Sequence, residues 1–192
     1  RELNPKLLFE MSASPRKSAN ILHEYSLSQC LQEGLYTKSV QAIVKQQPSG
    51  ISDADWDKSS LRHAIERLDL KRAHIDQYAK DKNGGRAPNP VMLVCAANTK
   101  HADEVTDWLR DQLGEESVLL VHSQLSEDKY INELLNVEKP GSKIRAIVNV
   151  FKLTEGWDVT NVYVIVPLRA MATVTGALQM MGRGLRLPFG SR

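Results

Sequence analysis

Residues 91–121 read VMLVCAANTKHADEVTDWLRDQLGEESVLLV, and the fold is decided by what that stretch can form. It opens on an unbroken apolar run, residues 91–96, as expected of a parallel strand covered on both faces. Asn98 or Thr99 can then cap a helix whose apolar positions Ala102, Val105, Leu109 and Leu113 recur at helical spacing before Gly114 stops it. Residues 118–121 form a second strand of the same type. Strand, helix and strand joined by short turns make the repeating unit of a parallel sheet.

The same alternation continues downstream. Ser126 is placed to cap a helix with Glu127 and Asp128 in its first turn and Tyr130, Ile131, Leu134 and Leu135 inward, closed by Pro140-Gly141. Residues 144–150 and 162–166 read as two more strands, and a last helix covers about 170–183. Four such steps predict an α/β fold: an open parallel sheet with helices on both faces, whose ligands gather at strand carboxyl ends. Upstream, residues 56–80 read as a helix with Leu61, Ala64, Ile65, Leu68, Ile75, Tyr78 and Ala79 on one face, interrupted by Arg72. Residues 46–55 are a loop, 40–44 an edge strand, and 16–38 a polar linker with one short helix. Residues 7–11 form a short buried strand ending in the turn Ser12-Ala13-Ser14-Pro15.

Composition narrows the class. With 192 residues, 42% hydrophobic and 25% charged, the chain can bury a core without disulfides or metal. A net charge of +2 is too small to imply nucleic acid, so any basic surface must be local. Cys30 and Cys95 match no metal or redox spacing and read as thiols in a reducing, cytoplasmic setting, with no membrane partner. The chain opens on Arg1 rather than Met, which we read as a segment of a longer protein.

The chemistry concentrates in the last helix. Val174, Ala177, Leu178 and Met181 make an apolar stripe, while Gln179, Gly182, Arg183 and Arg186 follow i, i+3, i+4, i+7 onto the other face. Two guanidinium groups beside a glutamine suit a transferring phosphoryl group; a solvated basic helix end is the competing reading. Glu155, Gly156 and Asp158, in the stretch following the third strand, are placed for a ribose or a metal-bound water, or else form a plain capped turn.

Taken together, these elements carry a specific resemblance. Gln179-Met180-Met181-Gly182-Arg183-Gly184-Leu185-Arg186 is similar to motif VI of superfamily 2 helicases, and Thr154-Glu155-Gly156-Trp157-Asp158 resembles motif V, one strand earlier. Residues 91–108 resemble the motif IV region, His122-Ser123 the small motif that follows it, and residues 11–15 motif III. Within that superfamily the chain most resembles the Res subunit of type III restriction-modification systems. The cues are residues 24–27 and 33–36, Glu155-Gly156-Trp157-Asp158, and residues 182–188.

The resemblance implies the following. Residues 1–15 would end a first RecA-like domain, 16–55 would link, and 56–192 would be the second RecA-like domain, lacking its last strand. Arg183 and Arg186 would reach the nucleotide γ-phosphate across the cleft. Gln179, Glu155, Gly156 and Asp158 would lie against ATP. Asn98, Thr99, His122, Ser123, Lys152 and Thr154 would hold the nucleic-acid backbone. No Gly-x-x-x-x-Gly-Lys-Ser/Thr loop or Asp-Glu-x-His strand end occurs, so ATP and Mg²⁺ would be bound mainly by the first RecA-like domain, and the fragment alone would not hydrolyse ATP. The implied partners are DNA, that first domain and a modification (methyltransferase) subunit. An RNA or repair helicase remains open, as does a non-motor nucleotide-binding module, although residues 95–99 lack the glycine-rich turn which that module needs.

Overall fold

The computed structural model describes residues 20–34, 37–82, 84–85, 87–122, 130–150, 157, 159–168 and 174–187. Four strands, β1 (Val91–Cys95), β2 (Val118–Val121), β3 (Ala146–Asn149) and β4 (Val162–Pro167), are all parallel in the order β2-β3-β1-β4. Leu93 lies opposite Ile147 on one side and Ile165 on the other. The helices are α1 (Leu27–Glu33), α2 (Asp53–Lys82), α3 (Thr99–Leu113), α4 (Ile131–Asn136) and α5 (Val174–Leu185). This is the α/β arrangement that the alternation predicts, and it is consistent with a RecA-like sheet.

Side-chain alternation along β1 separates the two layers. Met92, Val94 and Ala96 pack with Leu61, Ala64 and Leu68 of α2 and Ala102, Val105 and Leu109 of α3. Val91, Leu93 and Cys95 face the opposite way, into a cluster with Leu134 of α4, Val137, Trp157 and Val159, against which Met180 of α5 packs. Each such large apolar side chain contributes roughly 1.5–3 kcal/mol on burial. Asn98 caps α3, its side chain accepting from the His101 amide at 2.9 Å, and Gly114 ends that helix at a φ of 95° which side chains resist. Pro167 closes β4, which among the described residues is an edge strand, where a missing N–H is tolerated.

Several expectations need correction. Residues 40–44 form no strand, and Val40, Ile43 and Val44 are exposed. Tyr78 is exposed because the buried line of α2 runs through Leu68, Ile75 and Ala79 and leaves its ring on the flank. Along α4 and its two cap residues the inward stripe is Tyr130, Leu134 and Val137, at steps of four and three, so Ile131 and Leu135 point outward. Met181 is likewise exposed. The expected strand at 7–11 and the Ser126 cap lie outside the described residues.

Candidate functional site

The amino end of the sheet is built around two buried asparagines. Asn89 donates to the carbonyls of Val137 (3.1 Å) and Ile144 (2.7 Å), and Asn161 donates to those of Asn89 (2.6 Å) and Val137 (3.1 Å). Arg72, which breaks the apolar face of α2, reaches in to Asn89 Oδ1 at 3.2 Å. These bonds fix the chain turns entering β1, β3 and β4, where unpaired carbonyls would each cost about 1–3 kcal/mol.

Against this end comes the carboxyl end of α5. Gly184 lies on β4: a Cβ there would sit 3.0 Å from Ile165 Cδ1, so only glycine permits this approach without displacement. The helix is thereby turned so that Arg183, expected on the open face, is 8% exposed. Its guanidinium donates to the Trp157 carbonyl and lies 5.6 Å from the centroid of the Trp157 ring. Arg186, half-buried, forms an antiparallel bridge with Thr37. Thus α5, which carries Arg183, meets Trp157 of the segment that resembles motif V, and Arg186 directly follows the helix end.

Lys38 joins the two. Its amide donates to the Leu185 carbonyl (2.8 Å), and its Nζ donates to Thr160 O (2.6 Å) and Val162 O (2.8 Å), 4.0 Å from the centroid of the Tyr163 ring. Burial lowers its pKa to about 8 against the opposing pull of Glu138, and burial raises that of Tyr163. Glu138 in turn accepts from the Thr160 amide and from its hydroxyl.

The carboxyl end of the sheet holds the other candidates. Asn98 is exposed with its Oδ1 committed to the cap, and Thr99 begins α3 half-buried. His101 Nδ1 accepts from the Ala97 amide at 3.2 Å and Nε2 faces Asp57 at 3.0 Å, which fixes the Nε2–H tautomer. Burial raises the Asp57 pKa, and His101 opposes the rise. His122 is 5% exposed, with Nε2 3.6 Å from Asp103, so its ring serves the α3 contact rather than the surface. Glu155, Gly156, Asp158, Ser123, Lys152 and Thr154 lie outside the described residues, as does the Gln179 side chain. Among the described residues no cluster of His, Cys, Asp or Glu is placed to hold a metal, and no helix is long and apolar enough to cross a membrane.

Sequence reasoning missed Lys38, Glu138, Asn89, Asn161 and the His101–Asp57 pair. Asn161, a polar residue directly ahead of an apolar strand, was the one legible signal; Lys38 sits in a polar stretch that reads as solvated.

No family model matches the chain. It is 43% identical over 68 residues to the type III restriction-modification enzyme EcoPI Res subunit of Escherichia phage P1, covering 32% of this chain and 7% of that protein. It is 41% identical over 66 residues to the EcoP15I Res subunit of Escherichia coli, covering 34% and 6%. Against the probable HindVIP Res subunit of Haemophilus influenzae it is 32% identical over 89 residues, covering 43% and 17%. The similarity is therefore to Res subunits, and the chain spans only 6% to 17% of the length of these relatives.

Proposed function

We propose that this chain is the second RecA-like half of an ATP-dependent DNA translocase of the type III restriction Res kind. In this reading residues 1–15 end the first half, 16–55 link the halves, and 56–192 contribute Arg183 and Arg186 to an ATP site completed by the first half. The observation that supports it most is the meeting of α5 with the Trp157 segment through Arg183. Trp157, in the stretch that resembles motif V, and Arg183, in the one that resembles motif VI, are 26 residues apart in sequence, and the arginine ties them.

The geometry suggests how the arginines act. Arg183 is bonded to a neutral carbonyl, and phosphate oxygens make shorter, stronger charge-assisted bonds to a guanidinium. A γ-phosphate presented by the first half would compete for Arg183 and release the Trp157 carbonyl, so nucleotide state would be felt in the residues leading into β4. Arg186, three residues on, would add a second planar donor set. ATP with Mg²⁺ supplies the phosphoryl group, and this chain's part is to neutralise charge on it. DNA would lie along the carboxyl end, where the first turn of α3 presents amide N–H groups beside Asn98 and Thr99. A modification subunit is the expected protein partner.

The test is steady-state ATPase of the full-length enzyme at saturating DNA. An arginine finger contributes about 10³–10⁵-fold, or roughly 4–7 kcal/mol of barrier. Arg183→Ala and Arg186→Ala should each abolish most turnover, and Arg183→Lys should not restore it, because an ammonium lacks the planar fork. Wild-type turnover in both alanine variants would overturn the assignment.

A further inference from the structure

The outer edge of β4 is capped at its entry by a side chain. The Asn161 carbonyl accepts from the Val91 amide at 2.9 Å and so faces β1. On an extended chain the carbonyls one residue to either side face the opposite way. Those are Thr160 O and Val162 O, and Lys38 Nζ takes both. A lysine head thus stands where a further strand would donate, with the Tyr163 ring beneath it. The same residue's amide takes the Leu185 carbonyl at the end of α5, and its neighbour Thr37 bridges Arg186.

We propose that Lys38 is a positioning residue, pinning the segment ahead of α2 to both backbone stretches that carry the arginine site: residues 160–162, just after the Trp157 carbonyl that holds Arg183, and residues 185–186, which include Arg186. The inference rests on the reading of Arg183 and Arg186 given above. Its physical basis is that one residue bonds the entry to β4 through its side chain and the end of α5 through its own backbone. Without the ammonium, the outer carbonyls of β4 turn to water, and the link between the two stretches reduces to backbone bonds. Because Lys38 lies in the segment expected to join the halves, it also sets how movement of the first half reaches the arginines.

The experiment uses the full-length enzyme with Lys38→Met, which keeps an apolar stem and removes the head, Lys38→Arg, which keeps charge and donors, and Arg183→Ala in parallel. The expected result is a kcat for Lys38→Met lowered about tenfold or more, equal to about 1.4 kcal/mol of barrier. KM for ATP and the unfolding temperature should change little, and Lys38→Arg should recover most of the turnover. Wild-type kcat in Lys38→Met, or a loss that Lys38→Arg fails to recover and that follows a lowered unfolding temperature, overturns the proposal. An inactive Arg183→Ala beside a fully active Lys38→Met would sink the Lys38 role alone. Full activity in the arginine variants would remove the reading on which it rests.

Discussion

Lys38 is charged at neutral pH only against resistance: burial lowers its pKa to about 8 from 10.5, and Glu138 offsets only part of that. The sign of the consequence is opposite to that of a lysine gaining a salt bridge. Below pH 8 both folded and unfolded chains hold the proton, and the cost of burying the charge is fully present. Between pH 8 and 10.5 the folded chain releases the proton while the unfolded chain keeps it, so stability rises with pH across that window. The full effect is on the order of 3 kcal/mol. Tyr163, the ring beneath, stays neutral through the window because burial raises its own pKa. Urea unfolding of wild type and Lys38→Met at pH 7, 8.5 and 10 checks this, since titrations elsewhere cancel in the difference. Wild type should gain on the variant with each step, and a pH-independent difference would show that Lys38 titrates as if in water. Nothing in the composition around Lys38 could announce this behaviour, because it arises from carbonyls more than 120 residues away.

At the scale of elements, the parallel sheet was legible because short apolar runs alternate with helical spacing, and residues 91–121 fold with the strands and helix placed where that pattern puts them. The facing of α5 was not legible. Its last two turns carry two glycines, two methionines and one arginine, and amphipathic spacing alone puts Met181 in and Arg183 out. The deciding contact is Gly184 against Ile165, a close approach that depends on a side chain's absence. That contact makes a prediction about α5. Gly184→Ala gains about 1 kcal/mol of helix propensity but must displace Ile165 Cδ1, so alone it should change stability little. Ile165→Val removes that Cδ1 atom and alone costs about 0.5–1.5 kcal/mol. Combined, the two should be more stable than their sum by at least about 0.5 kcal/mol, as expected of residues in direct contact. Strict additivity in chemical denaturation would mean that α5 does not seat on β4 through Gly184. The short α4 was misread for a related reason: with six residues, one buried line of Tyr130, Leu134 and Val137 satisfies it, and neighbouring apolar residues need not follow.

For the whole molecule, the sheet separates two sets of candidates. Lys38 bonds the entry to β4 and the end of α5, where Arg183 holds the Trp157 carbonyl, whereas Asn98, Thr99 and the His101–Asp57 pair occupy the sheet's carboxyl end. The separation means that nucleic acid and nucleotide would be handled by opposite rims of one rigid layer, and the two functions should fail independently in this chain. Taken by itself it should bind single-stranded DNA weakly and without sequence preference, through a few phosphate contacts near the start of α3. For about three such contacts the salt slope is roughly −2, so affinity should fall about twentyfold between 50 and 200 mM salt. Thr99→Glu puts an anion at that rim and should weaken binding further, while Arg183→Ala, at the other rim, should leave it within about twofold. ATP turnover by the chain alone should be absent in every case, since no phosphate-binding loop is present in its sequence. Fluorescence anisotropy of labelled DNA at the two salt concentrations separates the possibilities. An affinity that ignores salt, or one lost equally in Thr99→Glu and Arg183→Ala, would mean that the rims are not separate and that phosphate contact at α3 is not how this chain meets DNA.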